Sequence, residues 1–233
     1  MQSKTGTRKS RGSCCQTLSD RISVFLRAPL WDKAALLDFA WARLKTQLFY
    51  RSAFGSMGAK TTLWRPLMLR NTRYVHLGTQ VTIRDGARFD LSTAFREQRF
   101  TPEVTIGDGS LFEQGFHLAA AGKVTIGRQV TCARNVSIQG VWHEYEDVTR
   151  AIIEQPLGTG AISIGDGTLI GMGSIILANV SIGQHCMIGA NSVVNRDIPD
   201  FCVAAGAPAR IVRRYAAEEQ KWIRVSAPSE GRE

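Results

Sequence analysis

The sequence predicts an all-β fold, a parallel β-helix, and two features of one stretch support that prediction. Aliphatic residues recur at every sixth position, and a small or medium-sized residue follows four positions after each of the first five. The aliphatic residues are Ile164, Ile170, Ile176, Ile182, Ile188 and Val194, and the residues that follow are Thr168, Ser174, Val180, Cys186 and Ser192. A period of six fits neither a 3.6-residue helix nor a simple alternating strand. It fits a prism in which each six-residue unit forms one side and three units form one coil.

Glycine strengthens this interpretation, because it directly follows the aliphatic residue at positions 165, 171, 183 and 189. A tight bend or a close neighbour is easiest to accommodate where there is no Cβ. Coils stack at the inter-strand spacing of about 4.8 Å, so equivalent positions form aliphatic ladders. An isoleucine-rich sandwich is the alternative, but it would not keep one phase over six units.

The 233 residues suffice for one sizeable core with a small appended segment. Lysine and arginine exceed aspartate and glutamate by 29 to 20, a net charge of +9, which suits an anionic ligand or surface. Part of this excess lies in a Ser/Gly/Thr-rich opening, residues 1–20, for which we expect a disordered basic tail. The chain contains no nucleic-acid motif, so no nucleic-acid partner is expected.

The cysteines and histidines do not show the spacing of a metal site. The four histidines are separated by 41, 26 and 42 residues and include no close pair, so we expect no metal. Of the five cysteines, Cys132 and Cys186 fall at positions that the repeat buries. They are interpreted as small core residues in a reducing compartment.

Residues 21–73 are predicted to form an N-terminal helical segment. Its apolar stripe consists of Leu30, Ala34, Leu37, Trp41, Leu44 and Leu48. Such a stripe packs against the folded domain or a neighbouring subunit, or, with Lys33, Lys45 and Arg51 nearby, lies on an anionic membrane surface. No apolar stretch reaches the roughly 20 residues of a membrane span, and we find no signal peptide. We expect a cytoplasmic protein, with peripheral contact to the inner membrane as the alternative.

The β-helix domain is predicted over residues 74–210, with two interruptions. The six-residue period starts weakly at Leu77, is broken by a polar insertion at 91–103, and shifts by two residues around Gly122. About 25 residues, 139–163, then leave the prism and return to it. A loop of that length in a compact repeat fold is more often functional than not. Residues 211–233 are predicted to form a short capping helix and a tail, since an end coil otherwise exposes unpaired backbone.

The long loop contains the best candidate for catalysis, His143. It has aromatic neighbours and three carboxylates close in sequence, and a histidine in such a place can take a proton from a hydroxyl or amine. Glu144 or Asp147 is expected to orient the ring. His117 precedes a core residue and should point out of the prism, towards a cleft or subunit interface. The other two histidines, His76 and His185, are expected to be solvated.

Three stretches resemble the hexapeptide-repeat O-acetyltransferases, those that acetylate bacterial surface polysaccharides and the maltose and galactoside acetyltransferases. They are IGDGTLIGMGS at 164–174, VSIGQHCMIGANSVV at 180–194 and VAAGAPARIV at 203–212, within a match that covers roughly 74–215. The resemblance implies a left-handed β-helix, which is an exception to the usual crossover rule. It also implies a homotrimer with acetyl-CoA lying along the groove between adjacent prisms.

The resemblance also implies roles for individual residues. His143 falls in the family's histidine-bearing loop, but the first histidine of its usual pair is replaced by Val141, and a frequent tryptophan is replaced by Leu169. Coenzyme A would contact Gly171, Ala190, Ala207, Pro208, Arg210 and Arg213, the guanidinium groups binding its phosphates. The acceptor would contact His117, Trp142 and Tyr145.

The function expected from these observations is acetyl transfer from acetyl-CoA to a hydroxyl of a sugar or glycan precursor, in surface polysaccharide biosynthesis. His143 would act as the general base with help from Glu144, without a covalent acyl-enzyme. Within the enzyme class, transfer to an amino sugar or of a longer acyl group stays open. The alternative from another class is a non-catalytic trimeric scaffold or membrane-associated assembly protein, which the valine at position 141 favours.

Overall fold

The computed structural model describes residues 29–225. The chain divides into two compact units, Met1–Ala40 and Trp41–Glu233, and all strands lie in the second. The predicted N-terminal helix is present as α1, Leu30–Lys45. Most of its large apolar side chains, among them Trp31 and Leu37, are exposed. No helix in the described part of the chain is long and apolar enough to cross a membrane.

The segment that follows α1 is fixed to the first coil by a buried threonine, Thr46. The chain continues from α1 into a π-helix, Thr46–Tyr50, and a 3-10 helix, Arg51–Ala53. The Thr46 hydroxyl donates to the Leu63 carbonyl at 3.0 Å and accepts from the Leu63 N–H at 2.8 Å. The Thr46 hydroxyl therefore satisfies the backbone N–H and carbonyl of Leu63, as a neighbouring strand would, at this end of the prism.

Three short strands make up each coil, one on each side of the prism. In chain order the first four coils and their hairpin are β1 (Ser56–Met57), β2 (Thr62–Leu63), β3 (Met68–Arg70); β4 (Val75–Leu77), β5 (Thr82–Ile83), β6 (Arg88–Leu91); the hairpin β7 (Ala94–Phe95) and β8 (Gln98–Arg99); β9 (Glu103–Ile106), β10 (Leu111–Phe112), β11 (His117–Ala120); β12 (Lys123–Ile126), β13 (Thr131–Cys132), β14 (Ser137–His143). The remaining strands are β15 (Leu157–Thr159); β16 (Ile162–Ile164), β17 (Leu169–Ile170), β18 (Ile175–Leu177); β19 (Val180–Ile182), β20 (Met187–Ile188), β21 (Val193–Val194); β22 (Cys202–Gly206), β23 (Ala209–Ala216) and β24 (Lys221–Arg224). Short 3-10 turns lie at Thr72–Tyr74 and Ile152–Glu154.

The strands form three parallel sheets, which are the three walls of the prism. Sheet A has the order β1-β4-β9-β12-β16-β19, sheet B has β2-β5-β10-β13-β17-β20-β22-β23-β24, and sheet C has β21-β18-β14-β11-β6-β3. Within the prism the pairing is parallel and in register, for example Ile164 with Ile182 and Ile170 with Ile188. Each side chain therefore lies above its equivalent in the next coil, as the six-residue period predicts.

The core is a stack of these equivalent side chains. All six aliphatic residues of the repeat are at most 2% exposed, and so are their counterparts in earlier coils, Ile83, Phe112, Ile126 and Ile138. Cys132 and Cys186 are buried, free thiols, which confirms their interpretation as core residues. Burial raises the pKa of each of these thiols, so both stay protonated and unreactive.

The hydroxyl residues of the repeat connect one coil to the next. The Thr168 hydroxyl donates to the Gly183 carbonyl at 2.8 Å and accepts from the Cys186 N–H at 3.0 Å. Ser174 donates to the Gly189 carbonyl at 2.9 Å. Backbone groups at the corners, which no strand partner reaches, are satisfied in this way, and this explains the hydroxyl residues at positions 168 and 174 of the repeat.

Two features differ from the sequence prediction. The coils begin at Ser56, so part of the predicted helical segment 21–73 already belongs to the prism. The predicted capping helix after position 210 is wrong, because β23 and β24 form an antiparallel hairpin that extends sheet B from β22. The exposed edge of β22 offers backbone groups to pair with, and pairing satisfies them directly.

Candidate active site

The repeat is interrupted between β6 and β9 and again between β14 and β16, and these two segments meet on the outside of the prism. Both leave at the end of a sheet C strand, β6 or β14, and both re-enter at a sheet A strand, β9 or β16. The Gln98 side chain joins them, because its Nε2 donates to the Leu157 carbonyl at 3.0 Å and its Oε1 accepts from the Leu157 N–H at 2.7 Å. The β7–β8 hairpin is therefore a support for the long loop.

His143 stands at the end of β14, where this strand runs beyond the wall of the prism. There β14 pairs antiparallel with β15, and His143 lies opposite Leu157. The Phe95 ring, from the β7–β8 hairpin, contacts the imidazole edge to face, with centroids 5.3 Å apart and planes at 78°. The imidazole is half-buried, and its Nδ1 is buried without a hydrogen-bond partner among residues 29–225. The ring is thus held by backbone and aromatic contacts, with a nitrogen available to a bound molecule.

The carboxylates that the sequence suggests as ring-orienting groups take other positions. Glu144 lies with the Trp142 ring against Gly158, which has no room for a side chain. Asp147 accepts from the Thr149 N–H at 3.0 Å and from the Thr149 hydroxyl at 2.6 Å, and these bonds lower the pKa of its carboxyl. In the described part of the chain, neither carboxylate is hydrogen-bonded to His143. The Phe95 ring contacts the imidazole instead, and strand pairing with Leu157 holds the backbone of His143.

A buried glutamine closes the loop that follows His143. Gln155 is only 2% exposed; its Oε1 accepts from the Asp147 N–H at 3.0 Å and its Nε2 donates to the Asp147 carbonyl at 2.9 Å. A further bond from Nε2 reaches the Arg150 carbonyl at 3.3 Å. Tyr145, a predicted acceptor contact, is 67% exposed on the outside of this loop.

Replacing Gln155 with alanine should loosen the loop without unfolding the prism. Each lost hydrogen bond to a buried group costs on the order of 1–3 kcal/mol, and the loss here is local. We expect faster hydrogen exchange at the amide of Asp147 and its neighbours, with little change in Tm. The matched control is Glu154→Ala, an exposed neighbour, which should leave exchange unchanged. Equal exchange in both variants would contradict this role of Gln155.

His117 lies on the same outer face of sheet C as His143, but far from it. It pairs with Ser137 on β14, six residues before His143, which corresponds to roughly 20 Å along a strand. The Nε2 atom of Gln139 is 3.4 Å from the Nδ1 atom of His117. The Nε2 atom of His117 is buried without a hydrogen-bond partner among the described residues. The structure therefore does not bring the two histidines together.

Burial lowers the pKa of His117 below its ordinary value of 6.5, and the charge of Arg88 lowers it further, while Asp90 opposes both effects. At a pH just below 6.5 the unfolded chain then binds a proton that the folded chain does not. The stabilising contribution of neutral His117 to the free energy of unfolding should therefore be fully present above pH 6.5. It should be lost as the pH falls towards the lowered pKa of the folded state. Thermal unfolding between pH 7.5 and 5 measures this, and His117→Gln should show a shallower fall. The same slope in both proteins would contradict the assignment.

An open cleft of about 310 Å³ borders the end of β14. It is lined by Gln139, Val141, Trp142, Leu177, Ala178 and Asn179. Val141 and His143 are two residues apart on one strand, so they project from the same face. Val141 stands where the hexapeptide-repeat acetyltransferases usually carry the first histidine of a pair, and here it is an apolar part of the cleft wall. Trp142, a predicted acceptor contact, is 36% exposed at its edge.

The predicted coenzyme contacts collect at another corner, between sheets B and C. A Cβ on Gly171 would lie 2.6 Å from the Ala190 backbone nitrogen, and one on Gly189 would lie 2.9 Å from the Ala205 side chain. The turn with Ala207 and Pro208 follows, and the Gly206 N–H donates to the Ser192 hydroxyl at 3.2 Å. We call Gly171, Gly189, Ala190, Ala205 and Gly206 the small-residue column. Its glycines let successive coils approach closely, and Ala190 and Gly206 are exposed at this corner.

Both predicted phosphate-binding arginines lie on β23. Arg210 pairs with Ala205 beside the small-residue column, and Arg213 pairs with Val203 on the outer face of sheet B. The column stands where the sheet C strands begin, and His143 stands where β14 ends. Within one chain the two groups are therefore at opposite edges of sheet C.

No group of three His, Cys, Asp or Glu side chains that could hold a metal ion occurs within residues 29–225.

The repeat and its fold match known transferases. Residues 161–196 match the family described as "Bacterial transferase hexapeptide (six repeats)". The chain is 29% identical over 188 residues to WbbJ of Escherichia coli K12, assigned to lipopolysaccharide biosynthesis as an O-acetyl transferase. That match covers 77% of this chain and 88% of WbbJ.

Two solved structures share the fold at low sequence identity. AntD, an N-acyltransferase from Bacillus cereus in complex with dTDP and 3-hydroxybutyryl-CoA, superposes with a TM-score of 0.61 at 20% identity, over 75% of this chain and 90% of AntD. VCA0836, a hexapeptide-repeat acetyltransferase from Vibrio cholerae in complex with acetyl coenzyme A, gives 0.51 at 21% identity, over 80% and 90% of the two chains. The predicted left-handed β-helix is confirmed by this agreement. Residues 161–196 thus carry the hexapeptide repeat of bacterial transferases, and the chain as a whole is similar to members of that family in sequence and in fold.

Proposed function

We propose that this protein transfers an acetyl group from acetyl-CoA to a hydroxyl of a sugar or glycan precursor. The observation that carries the proposal is the half-buried imidazole of His143, which contacts the Phe95 ring and has a buried Nδ1 without a hydrogen-bond partner among the described residues. WbbJ, which matches over most of its length, supports O-acetylation for lipopolysaccharide biosynthesis. The acetyl-CoA complex of VCA0836 supports the donor. We propose a role in cytoplasmic steps of surface polysaccharide biosynthesis, and the similarity to WbbJ supports the link to polysaccharide.

The chemistry requires one base and no covalent intermediate. His143 takes the proton of the acceptor hydroxyl as the oxygen attacks the thioester carbonyl. Backbone N–H groups along the donor groove stabilise the negative charge on the carbonyl oxygen. The C–S bond then breaks, and the thiolate of coenzyme A takes the proton back from the imidazolium. The cleft lined by Val141 and Trp142 lies beside His143 and is the proposed place of the acceptor.

The donor would bind along the small-residue column, with its phosphates at Arg210 and Arg213. Since this column and His143 are at opposite edges of sheet C, one chain does not bring donor and base together. A homotrimer would, because the His143 edge of one prism then faces the column of the next. A complete site therefore requires a second copy of the chain.

Release of free thiol from acetyl-CoA tests the proposal. The purified protein is given acetyl-CoA with a panel of nucleotide-linked and free sugars, some with an amino group and some with hydroxyl groups only. We expect acceptor-dependent thiol release with the hydroxyl-only sugars, and a product that alkaline hydroxylamine deacetylates. Release only with amino sugars would move the assignment to N-acetylation. A trimer that releases no thiol with any acceptor would contradict the proposal and favour a non-catalytic scaffold.

A further inference from the structure

Four aromatic rings form a closed circle on the surface near the C-terminal hairpin. They are His185, Phe201, Tyr215 and Trp222, which we call the aromatic cluster. Their centroids are 6.0 Å apart for His185 and Phe201, 6.4 Å for Phe201 and Tyr215, 5.6 Å for Tyr215 and Trp222, and 6.4 Å for Trp222 and His185. Each ring thus has two ring neighbours, and His185 and Trp222 are within 21° of parallel.

The fold brings these rings together from three parts of the chain. His185 and Phe201 occupy the same corner in successive coils, both with a positive φ, 49° and 54°. The hairpin adds the other two, because Tyr215 N–H donates to the Phe201 carbonyl at 3.0 Å and Tyr215 pairs with Trp222. The aromatic cluster therefore exists only because β23 and β24 pair as strands. His185 is exposed, as the sequence predicts, and it also has two ring neighbours, Phe201 and Trp222.

The rings enclose an open pocket and do not form a buried core. Phe201, Tyr215 and Trp222 are each about two-fifths exposed, at 41%, 39% and 37%. They and His185 line a pocket of about 260 Å³. A second cleft of about 380 Å³ shares His185 and Trp222 with it and continues over the outer face of sheet B. That cleft is lined further by Leu169, Met187, Val203 and Arg213.

The charges beside the rings favour an anion. Arg213 and Arg224 lie directly opposite each other on β23 and β24. Like charges at facing positions destabilise a strand pair. Neither arginine belongs to an ion pair within residues 29–225. A bound phosphate between them would offset the repulsion, because guanidinium groups bind phosphate oxygens in a bidentate manner.

We propose that the aromatic cluster with Arg213 and Arg224 is a binding site for a nucleoside phosphate. The base stacks on the exposed ring faces, as bases do on aromatic side chains, and the phosphates lie at the two arginines. A quaternary ammonium group also suits aromatic rings. The two unpaired guanidinium groups would repel such a cation, so they favour the nucleotide.

Two ligands of the proposed acetyl transfer carry a nucleoside phosphate. One is the adenosine 3′,5′-bisphosphate end of coenzyme A, and the other is the nucleotide of an activated sugar acceptor. Both offer a planar base and phosphates, and the site chemistry described here is common to them. For its physiological ligand, this inference therefore rests on the proposed function. Binding experiments on the nucleotides alone separate the two sources, and they do not depend on turnover.

Calorimetric titration of the full chain with adenosine 3′,5′-bisphosphate, and separately with UDP and dTDP, tests the site. We expect one of these probes to bind, and Trp222→Leu and His185→Ala to weaken that binding about tenfold or more, since stacking of one base contributes about 1–3 kcal/mol. Trp31→Leu is the matched control, because this tryptophan of α1 is 83% exposed and lines none of the proposed sites. It should bind as the parent does. Binding of the bisphosphate assigns the site to the donor. Binding of UDP or dTDP assigns it to the acceptor, and Arg213 then does not bind the donor phosphates.

Turnover gives an independent readout for the donor assignment. Trp222→Leu should then raise KM for acetyl-CoA but not for S-acetyl-pantetheine, which lacks the nucleotide. The inference is overturned if none of the probes binds, or if Trp222→Leu and His185→Ala bind them as tightly as the parent does. His143→Ala should keep nucleotide binding whether or not it transfers acetyl groups, so failure of the proposed function and failure of this site are distinguishable.

Discussion

Replacing His143 with alanine is expected to lower kcat for acetyl transfer by about 10²–10⁴-fold, the usual contribution of a positioned general base. The reason is that the alternative bases suggested by the sequence, His117, Glu144 and Asp147, lie elsewhere or have other contacts. His117 is roughly 20 Å away along the strand direction. Glu144 lies against Gly158, and Asp147 accepts hydrogen bonds from Thr149. Acceptor-dependent thiol release, measured at saturating acetyl-CoA, gives kcat directly.

The loss should be confined to chemistry. The His143 ring is half-buried and contacts Phe95, so its removal should leave Tm, oligomeric state and nucleotide binding close to those of the parent. His117→Ala is the matched control, because it removes a second partly buried histidine of the same sheet face. Unchanged kcat in His143→Ala, together with a large loss in His117→Ala, would reassign the base to His117.

Replacing Ile164 with alanine should lower the free energy of unfolding by about 2–5 kcal/mol, the usual cost of an aliphatic side chain truncated to alanine in a packed core. Ile164 is 2% exposed and stacks between Ile126 and Ile182 of the neighbouring coils, so the cavity would be lined on both sides by side chains that cannot collapse freely. Denaturant or thermal unfolding measures the change.

The control for this prediction is the adjacent residue. Ser163 faces the outside of sheet A, and Ser163→Ala should change stability by no more than about 0.5 kcal/mol. The contrast between two neighbours tests the phase of the repeat, since a shift of one residue would exchange their faces. Equal losses in the two variants would contradict the assigned phase.

The regular part of the fold was predictable because a single spacing determines which side chains are stacked. The same spacing extends to Met57, Leu63 and Leu69, which start the prism, but a shift of two residues before Leu77 hides their relation to the later units. The C-terminal hairpin was not predictable from periodicity. Apolar residues at 211, 215, 222 and 223 suit a helix as well as a hairpin, and the deciding factor is the open edge of β22, which only the folded prism provides.

The candidate site was predictable in part, for a similar reason. The loop length and the composition around His143 pointed to that residue, whereas its supports come from contacts between distant segments. Gln98 and Leu157 are 59 residues apart, and no local pattern relates them. The choice between an aromatic and a carboxylate neighbour for the ring likewise depends on where the β7–β8 hairpin lies. Gln155 shows no signal in the sequence, because its role depends on burial at the base of the loop.

A crystal structure with coenzyme A bound tests the central claim most directly. The account predicts the coenzyme along the small-residue column of one protomer, with its sulfur beside the His143 edge of a second copy. One His143 nitrogen should then be within about 3.2 Å, the range of a hydrogen bond, of the place for the acceptor oxygen. Coenzyme A with its sulfur beside His117, or on a face without a histidine, would contradict the account.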